Sequence, residues 1–264
     1  MLFTGVRFFG AGILTLLLNR SVTGNSVKFS KKLIKPTITQ ALLQTVGQYL
    51  FLHMGMTIVS GASGALISSS SAFFTVIVAA TLGFEKLTGR KISGVALGLA
   101  GILILNTDSN LQLTFRWNGE LLILLSTICN VFASLNIKRL SSDHDPITLT
   151  GYQFIFGGAM LAIVGELGGG RLTWPGVGAS LLYVYLMLVA SVAYSLWNWL
   201  IKQNDISSVV VFHSLTPVFG ALFSWLILNE NIWRWQLVFA LTLIVIGINV
   251  LNRNKVPRFP FQVA

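Results

Sequence analysis

Nine apolar runs, separated by short polar joints, occupy most of this sequence and leave it few ways to fold. They cover roughly 2–18, 37–57, 61–82, 91–107, 119–137, 147–165, 177–200, 206–228 and 235–252. Each approaches the roughly 20 residues that a helix needs to cross the hydrocarbon core of a bilayer. Backbone inside that core must satisfy its own hydrogen bonds, which an α-helix does within one segment. Only 10% of the residues are charged, whereas a soluble domain carries about 25%. There is too little polar surface to solvate a globule. The expected fold class is therefore an all-α polytopic membrane protein. The first run, Phe3 to Leu18, is interrupted by Arg7 and no small-residue cleavage site follows it. It reads as a membrane helix and not as a removable leader.

The chain also repeats itself. Ala62 to Asn106 is an apolar span, a break holding Glu85, and a second apolar span. The same plan returns 145 positions later, from Ser207 to Asn252, with Glu230 in the break. The copies end on GILILN (Gly101 to Asn106) and GINVLN (Gly247 to Asn252). An internal repeat of hydrophobic pairs is what duplicated transporters leave in their sequences. Apolar helix pairs resemble one another in any case, so the shared glutamate and the matching endings carry the argument.

Basic residues set the orientation. With nine spans the two ends lie on opposite sides of the membrane. If the N-terminus is outside, the inner joints hold 14 of the 18 Lys and Arg, from Arg20 to Arg258. The outer set is Arg7, Arg116, Arg171 and Arg234. That is a strong positive-inside bias, and it predicts an external N-terminus and a cytoplasmic C-terminus. It also puts Glu85 inside and Glu230 outside, so the two copies run in opposite directions, as an inverted-topology repeat does.

Several short motifs now fall into one order: Arg7-Phe8, Gly83-Phe84-Glu85-Lys86, Tyr194-Ser195-Leu196-Trp197-Asn198, then Leu215-Thr216-Pro217-Val218-Phe219 followed by Glu230. In that order and spacing the chain resembles the EamA-type permeases of the drug/metabolite transporter superfamily, over nearly its whole length. The resemblance implies ten helices in two inverted five-helix halves, with a central substrate cavity. It divides the chain into a first repeat at 1–107, an external connector at 108–118, a second repeat at 119–252 and a basic cytoplasmic tail at 253–264. Two features depart from the family pattern. Ser71-Ala72 stands where Pro217 stands in the second copy, and Met1 falls where the family's first helix has already ended. The expectation is thus helices two to ten of the ten.

Polar groups at membrane depth are costly and need a partner or a watery cavity. Five helical stripes stand out: Gln44 and Gln48; Ser68, Ser71 and Thr75; Ser126 and Asn130; Tyr194, Trp197 and Asn198; and His213, Thr216, Pro217 and Gly220. The candidate substrate-binding residues are Gln48, Asn130, Tyr194, Trp197, Asn198, His213 and Pro217. Tyr194 and Trp197 would offer apolar and stacking contacts. Gln48, Asn130 and Asn198 would orient polar groups. His213 is read as the one ionisable side chain well inside a span, and so as a candidate proton-coupling group. Pro217 removes a backbone hydrogen bond and kinks its helix. The competing readings are plain ones. Ser68, Ser71 and Thr75 bond the preceding turn, Gln44 and Asn130 bond across helices, and His213 is neutral on a carbonyl. Gly94, Gly98 and Gly101 space a close-packing face.

No Asp or Glu lies mid-span, since Glu85, Glu120, Glu166 and Glu230 are all near span ends. There is no phosphate-binding loop, no metalloprotease motif and one cysteine, Cys129. The expectation is no cofactor, no metal and no enzyme. The expected function is secondary transport of a small organic metabolite, such as an amino acid or related compound, with export favoured by the resemblance. The alternative is a truncated or non-transporting membrane protein that acts as an assembly partner. Expected partners are a small-molecule substrate and the lipid bilayer, with proton coupling and a homodimer left open and no nucleic acid.

Overall fold

The apolar runs are helices. The computed structural model describes residues 1–23, 31–59, 64, 67–105, 117–171, 176–216, 218–219 and 235–252. Nine helical stretches occur among the described residues, with no strand: α1 (Leu2–Thr23), α2 (31–56), α3 (Ser71–Thr81), α4 (Gly89–Leu105), α5 (Trp117–Leu140), α6 (Pro146–Leu167), α7 (Val177–Gln203), α8 (206–215) and α9 (Trp235–Asn252). Four of them contain segments long and apolar enough to cross a bilayer: Leu2–Ser21, Asn118–Leu140, Pro146–Leu167 and Val177–Gln203.

Helix α2 is not uniform. Lys31–Gln40 is α-helical, Ala41–Gly47 widens into π-helix, and Gln48–Met56 returns to α-helix. Helix α8 tightens from α-helix at Ile206–Val210 to 3-10 helix at Val211–Leu215. Both irregularities occur inside expected spans, where a π-turn or a 3-10 stretch commonly marks a site or a hinge. The joint expected between Asn19 and Pro36 is shorter than the sequence suggested. Helix α1 continues to Thr23, and α2 already begins at Lys31, with Pro36 inside it. Charged residues with long stems are good helix formers, so apolar character ends before the helix does. One side chain ties this end down. Asn19 Nδ2 donates to Asp145 Oδ2 at 3.2 Å and to Thr148 Oγ1 at 3.0 Å. Asp145 is itself the N-cap of α6 and accepts from the Thr148 amide at 2.8 Å, with Pro146 at the first helical position.

The chain divides into two compact units. The first comprises Met1–His53 and Phe132–Gln203; the second comprises Met54–Val131 and Asn204–Ala264. Each unit draws on both halves of the sequence, and α5 is shared between them.

In the first unit α1 and α6 pack along glycines. A Cβ added at Gly5 would lie 2.3 Å from the Ala162 nitrogen and 2.8 Å from the Gly158 oxygen. One at Gly12 would meet the Gly151 oxygen and the Ile155 nitrogen, each at 2.7 Å. Gly165 lies against Leu2 in the same way. Partners on α6 fall in number as those on α1 rise, so the helices are antiparallel. Their glycines recur every seven residues, at 5 and 12 and at 151, 158 and 165. That spacing keeps small residues on one face and lets the backbones touch. Helix α7 exposes Leu181, Tyr185, Val192 and Leu196 on its outer side.

In the second unit α4 and α9 repeat the device. Gly94 faces the Gly247 oxygen and Leu251, and Gly101 faces the Ala240 oxygen and Ile244. These helices are antiparallel too. Gly94 and Gly101 thus lie on the close-packing face expected of them, while Gly98 approaches the Ser214 hydroxyl. The two helices that carry the matching repeat endings form this pair, with Gly101 against Ala240 and Ile244 and Gly247 against Gly94.

Candidate solute site

The first unit gathers polar side chains that its apolar helices would not otherwise admit. The π-helical turns of α2 carry Gln44 and Thr45 into the interior, where both are buried. Gln44 Oε1 accepts from Gln40 Nε2 at 3.0 Å and from Gln153 Nε2 at 2.8 Å. Gln40 extends the relay, donating to the Ala133 carbonyl and accepting from Asn136 Nδ2 at 2.7 Å. Four amides from α2, α5 and α6 are thus joined in one line. Asn198, fully buried on α7, donates to Thr150 Oγ1 on α6 at 2.9 Å. Gln153 Oε1, Asn198 Oδ1 and Thr45 Oγ1 are sealed from solvent and have no hydrogen-bond partner among the described residues. Buried acceptors without donors are costly.

An aromatic cluster lies on the same helices. Tyr49 and Tyr194 join hydroxyls at 2.5 Å. Their rings meet Phe8 at 4.7 Å and 6.1 Å, and Phe154 packs against Tyr194 at 5.2 Å. Phe8 and Phe154 are fully buried, while Tyr49 and Tyr194 are half-buried. Arg7, in the second turn of α1, holds its guanidinium 4.8 Å from the centre of the Phe8 ring. It lies beside Tyr49 and within electrostatic reach of Tyr194 and His53. Its Nε is sealed and has no hydrogen-bond partner among the described residues. His53 Nε2 bonds Thr4 Oγ1 at 3.0 Å.

The second unit holds a different group at a helix joint. Gly83, at φ 77°, turns the chain after α3, a conformation that costs glycine nothing. It delivers Glu85 to Lys91 Nζ at 2.5 Å, with Asp205 a further 3.7 Å contact of the same ammonium. The Ser207 amide donates to Glu85 Oε1 at 3.2 Å, and the Ser207 hydroxyl donates to Oε2. Burial would raise the Glu85 carboxyl, but the bonds from Lys91 and Ser207 outweigh it and hold the group below the usual carboxylate range. Glu85 thereby caps the start of α8 and ties α3 to it.

A family model matches the chain over residues 1–107 and 117–253, and its description is the EamA-like transporter family. The chain belongs to that family. EamA relatives include the uncharacterized transporter YoaV of Bacillus subtilis, 28% identical over 247 residues, which are 88% of this chain and 80% of YoaV. The uncharacterized inner membrane transporter YedA of Escherichia coli K12 is 27% identical over 259 residues, 94% of this chain and 82% of YedA. A solved crystal structure shares the fold, with a TM-score of 0.82 at 19% identity, over 95% of this chain and 88% of the other. This EamA chain is therefore a membrane transporter by family, built from apolar helices.

The expected site residues fall in both units. Gln48, Tyr194, Trp197 and Asn198 stand in the first, with Asn198 buried and the others half-buried. Asn130 and His213, both half-buried, stand in the second, His213 within the 3-10 stretch of α8. Pro217, with Gly220, lies outside the described residues. Thr75 bonds the Ser71 carbonyl at 2.6 Å, within its own helix. Gln44 bonds across helices. His213 is not the only ionisable side chain set inside a helix. Arg7, counted with the outer charges, sits in the second turn of α1. Glu120 is buried in the first turn of α5, where the helix dipole favours a carboxylate. Tyr49, one residue beyond Gln48, was within reach of the same stripe reading; the π-turns that precede it shift the face by more than a regular helix allows.

Proposed function

We propose that this EamA protein is a secondary transporter that carries a small organic solute, outward, by alternating access between two inverted repeats at 1–107 and 119–252. The N-terminus is external and the C-terminus cytoplasmic in this reading, as the basic joints require. One observation supports it above the rest. A chain with 10% charged residues concentrates Arg7, Tyr49, Tyr194, Gln153 and Asn198 inside a single helical unit, three of them with sealed polar atoms left without a partner among the described residues. Membrane proteins retain such groups for a ligand or a pathway, because lipid offers nothing to repay their desolvation. Helices α1 with α6, and α4 with α9, pair antiparallel with their counterparts in the other repeat, which suits an exchange of inward and outward forms. The test is counterflow in proteoliposomes loaded with a panel of carboxylates, amines, sugars and amino acids. Saturable exchange of one class supports the reading. Passive leak alone, with protein correctly inserted, overturns it.

A further inference from the structure

We infer that Arg7, with the Tyr49–Tyr194 hydroxyl pair, forms an oxyanion subsite, and that the solute is an organic carboxylate with an apolar or aromatic body. The inference rests on the transport reading for the word solute, but the subsite stands on geometry of its own.

A guanidinium stays protonated in proteins, so it brings a fixed positive charge into α1. Arg7 is half-buried, and a charge partly withdrawn from water is stabilised by a counter-charge. Among the described residues Arg7 has no salt-bridge partner. The ion pairs found there, Lys91 with Glu85 and with Asp205, belong to the other unit. The groups around Arg7 are the Phe8 ring, the phenols of Tyr49, Tyr194 and Tyr183, and His53. None of these is an anion. A snorkelling arginine keeps its whole head in water. Here Nε is sealed and the guanidinium lies on an aromatic face.

What is missing is a planar oxyanion. Arginine's donor fork matches a carboxylate with two parallel hydrogen bonds. In the Tyr49–Tyr194 pair one phenol donates to the other, and the one that accepts keeps its own O–H to donate to the same anion. Both tyrosine rings are half-buried, and Trp197 is on the same helix as Tyr194. They offer flat apolar walls for the body of the molecule. A lipid phosphate presents the same chemistry, so the test separates the two.

The full-length chain is purified in dodecylmaltoside and probed with benzoate, benzyl alcohol and benzylamine, which share a ring and differ in charge. Binding is read from tryptophan fluorescence and from the shift in unfolding temperature. Benzoate is expected to bind and stabilise, with the alcohol and the amine at least tenfold weaker. Arg7→Gln is expected to lose the benzoate response, and Arg7→Lys to weaken it about tenfold, since the charge remains without the fork. If Arg7→Gln does not fold, the wild-type preference and the Arg7→Lys affinity decide. Benzylamine binding as well as benzoate, no benzoate response, or a benzoate response that survives in Arg7→Gln, each overturns the subsite. So does an Arg7 effect seen only when phosphatidylglycerol is added. Benzoate bound through Arg7 but not exchanged in proteoliposomes sinks the transport reading and leaves the subsite standing. A neutral or cationic solute exchanged equally by wild type and Arg7→Gln does the reverse.

Discussion

Gly158→Ala tests whether the α1–α6 contact depends on backbones touching. A methyl at Gly158 would sit 2.4 Å from the Phe9 nitrogen, 2.8 Å from the Gly5 oxygen and 2.9 Å from the Phe9 Cα. Carbon atoms pack at about 3.5–4.0 Å, so α1 must retreat by about 1 Å. All three obstacles are main chain of a helix, and none can rotate away. A gap of that size forfeits about a quarter to a half of each contact well that it opens. Overpacking of this kind costs about 1–3 kcal/mol. For a chain of this length each kcal/mol lowers the unfolding temperature by about 2–4 °C, so the expected loss is about 2–12 °C. Gly151→Ala is the control. Its nearest atoms are Cδ2 and Cγ of Leu16 at 2.4 Å and 2.6 Å, the end of a half-buried side chain that can swing aside. That change should cost under about 1 kcal/mol. Thermal unfolding of the two variants in detergent, followed by size-exclusion chromatography, separates them. The reasoning is refuted if Gly158→Ala melts with the wild type, or if Gly151→Ala is the worse of the pair.

Glu85→Gln should lower thermal stability at pH 7 by about 1–3 kcal/mol, through lost charge-assisted bonds to Lys91 and Ser207. Because the Glu85 pKa is depressed in the fold, its contribution is complete above the usual carboxylate pKa and disappears as pH falls through the lowered value. Melting curves of wild type and variant should therefore converge in acid, and a gap that widens there would contradict this. Gln44→Leu strands the amides of Gln40 and Gln153, whereas Gln153→Leu removes a sealed oxygen along with one bond. Gln44→Leu should be the more destabilising in the same melting assay, by about 1–3 kcal/mol; the opposite order would break the relay argument. His213→Gln should leave the pH profile of counterflow unchanged between about pH 5.5 and 8, where an ordinary histidine titrates. A flattened profile would instead make His213 the proton-coupling group.

Helix positions were legible because a bilayer imposes one rule on every segment. The runs ending on GILILN and GINVLN needed no tertiary knowledge to be recognised, and Gly94, Gly98 and Gly101 announced a packing face by spacing alone. The partner face did not announce itself. Gly5 and Gly12 sit among apolar residues on a helix read chiefly for its length, and what makes them matter is the passage of α6 at contact distance. Seven-residue spacing was there to be read at 151, 158 and 165, but a stripe names no partner. The end of α1 failed for a related reason. Asn19 to Thr23 is polar, and polarity marks where the hydrocarbon stops, whereas the helix continues into water on the strength of Asn19 gripping Asp145 and Thr148.

The site was harder to read because a sequence assigns charge to a side of the membrane before it assigns charge to a place. Arg7 added one to the outer tally and was thereby accounted for. The same arithmetic passed over Tyr49, since the regular i, i+4 stripe runs from Gln44 to Gln48 and stops. The π-turns at Ala41–Gly47 break that regularity. They turn Gln44 toward Gln40 and Gln153, while Tyr49 meets Tyr194. The π-helical stretch thus divides one apparent stripe into an amide relay and a tyrosine pair. Periodicity assumes a constant turn and cannot show the division, even though every residue involved stands in plain view in the sequence. The amides on the relay side bond one another, Gln153 Oε1 excepted, and the phenols on the other side lie beside a cation that has no counter-charge among the described residues. That difference in satisfaction, and not the identity of the residues, separates the bonded amides from the polar atoms left without a partner among the described residues.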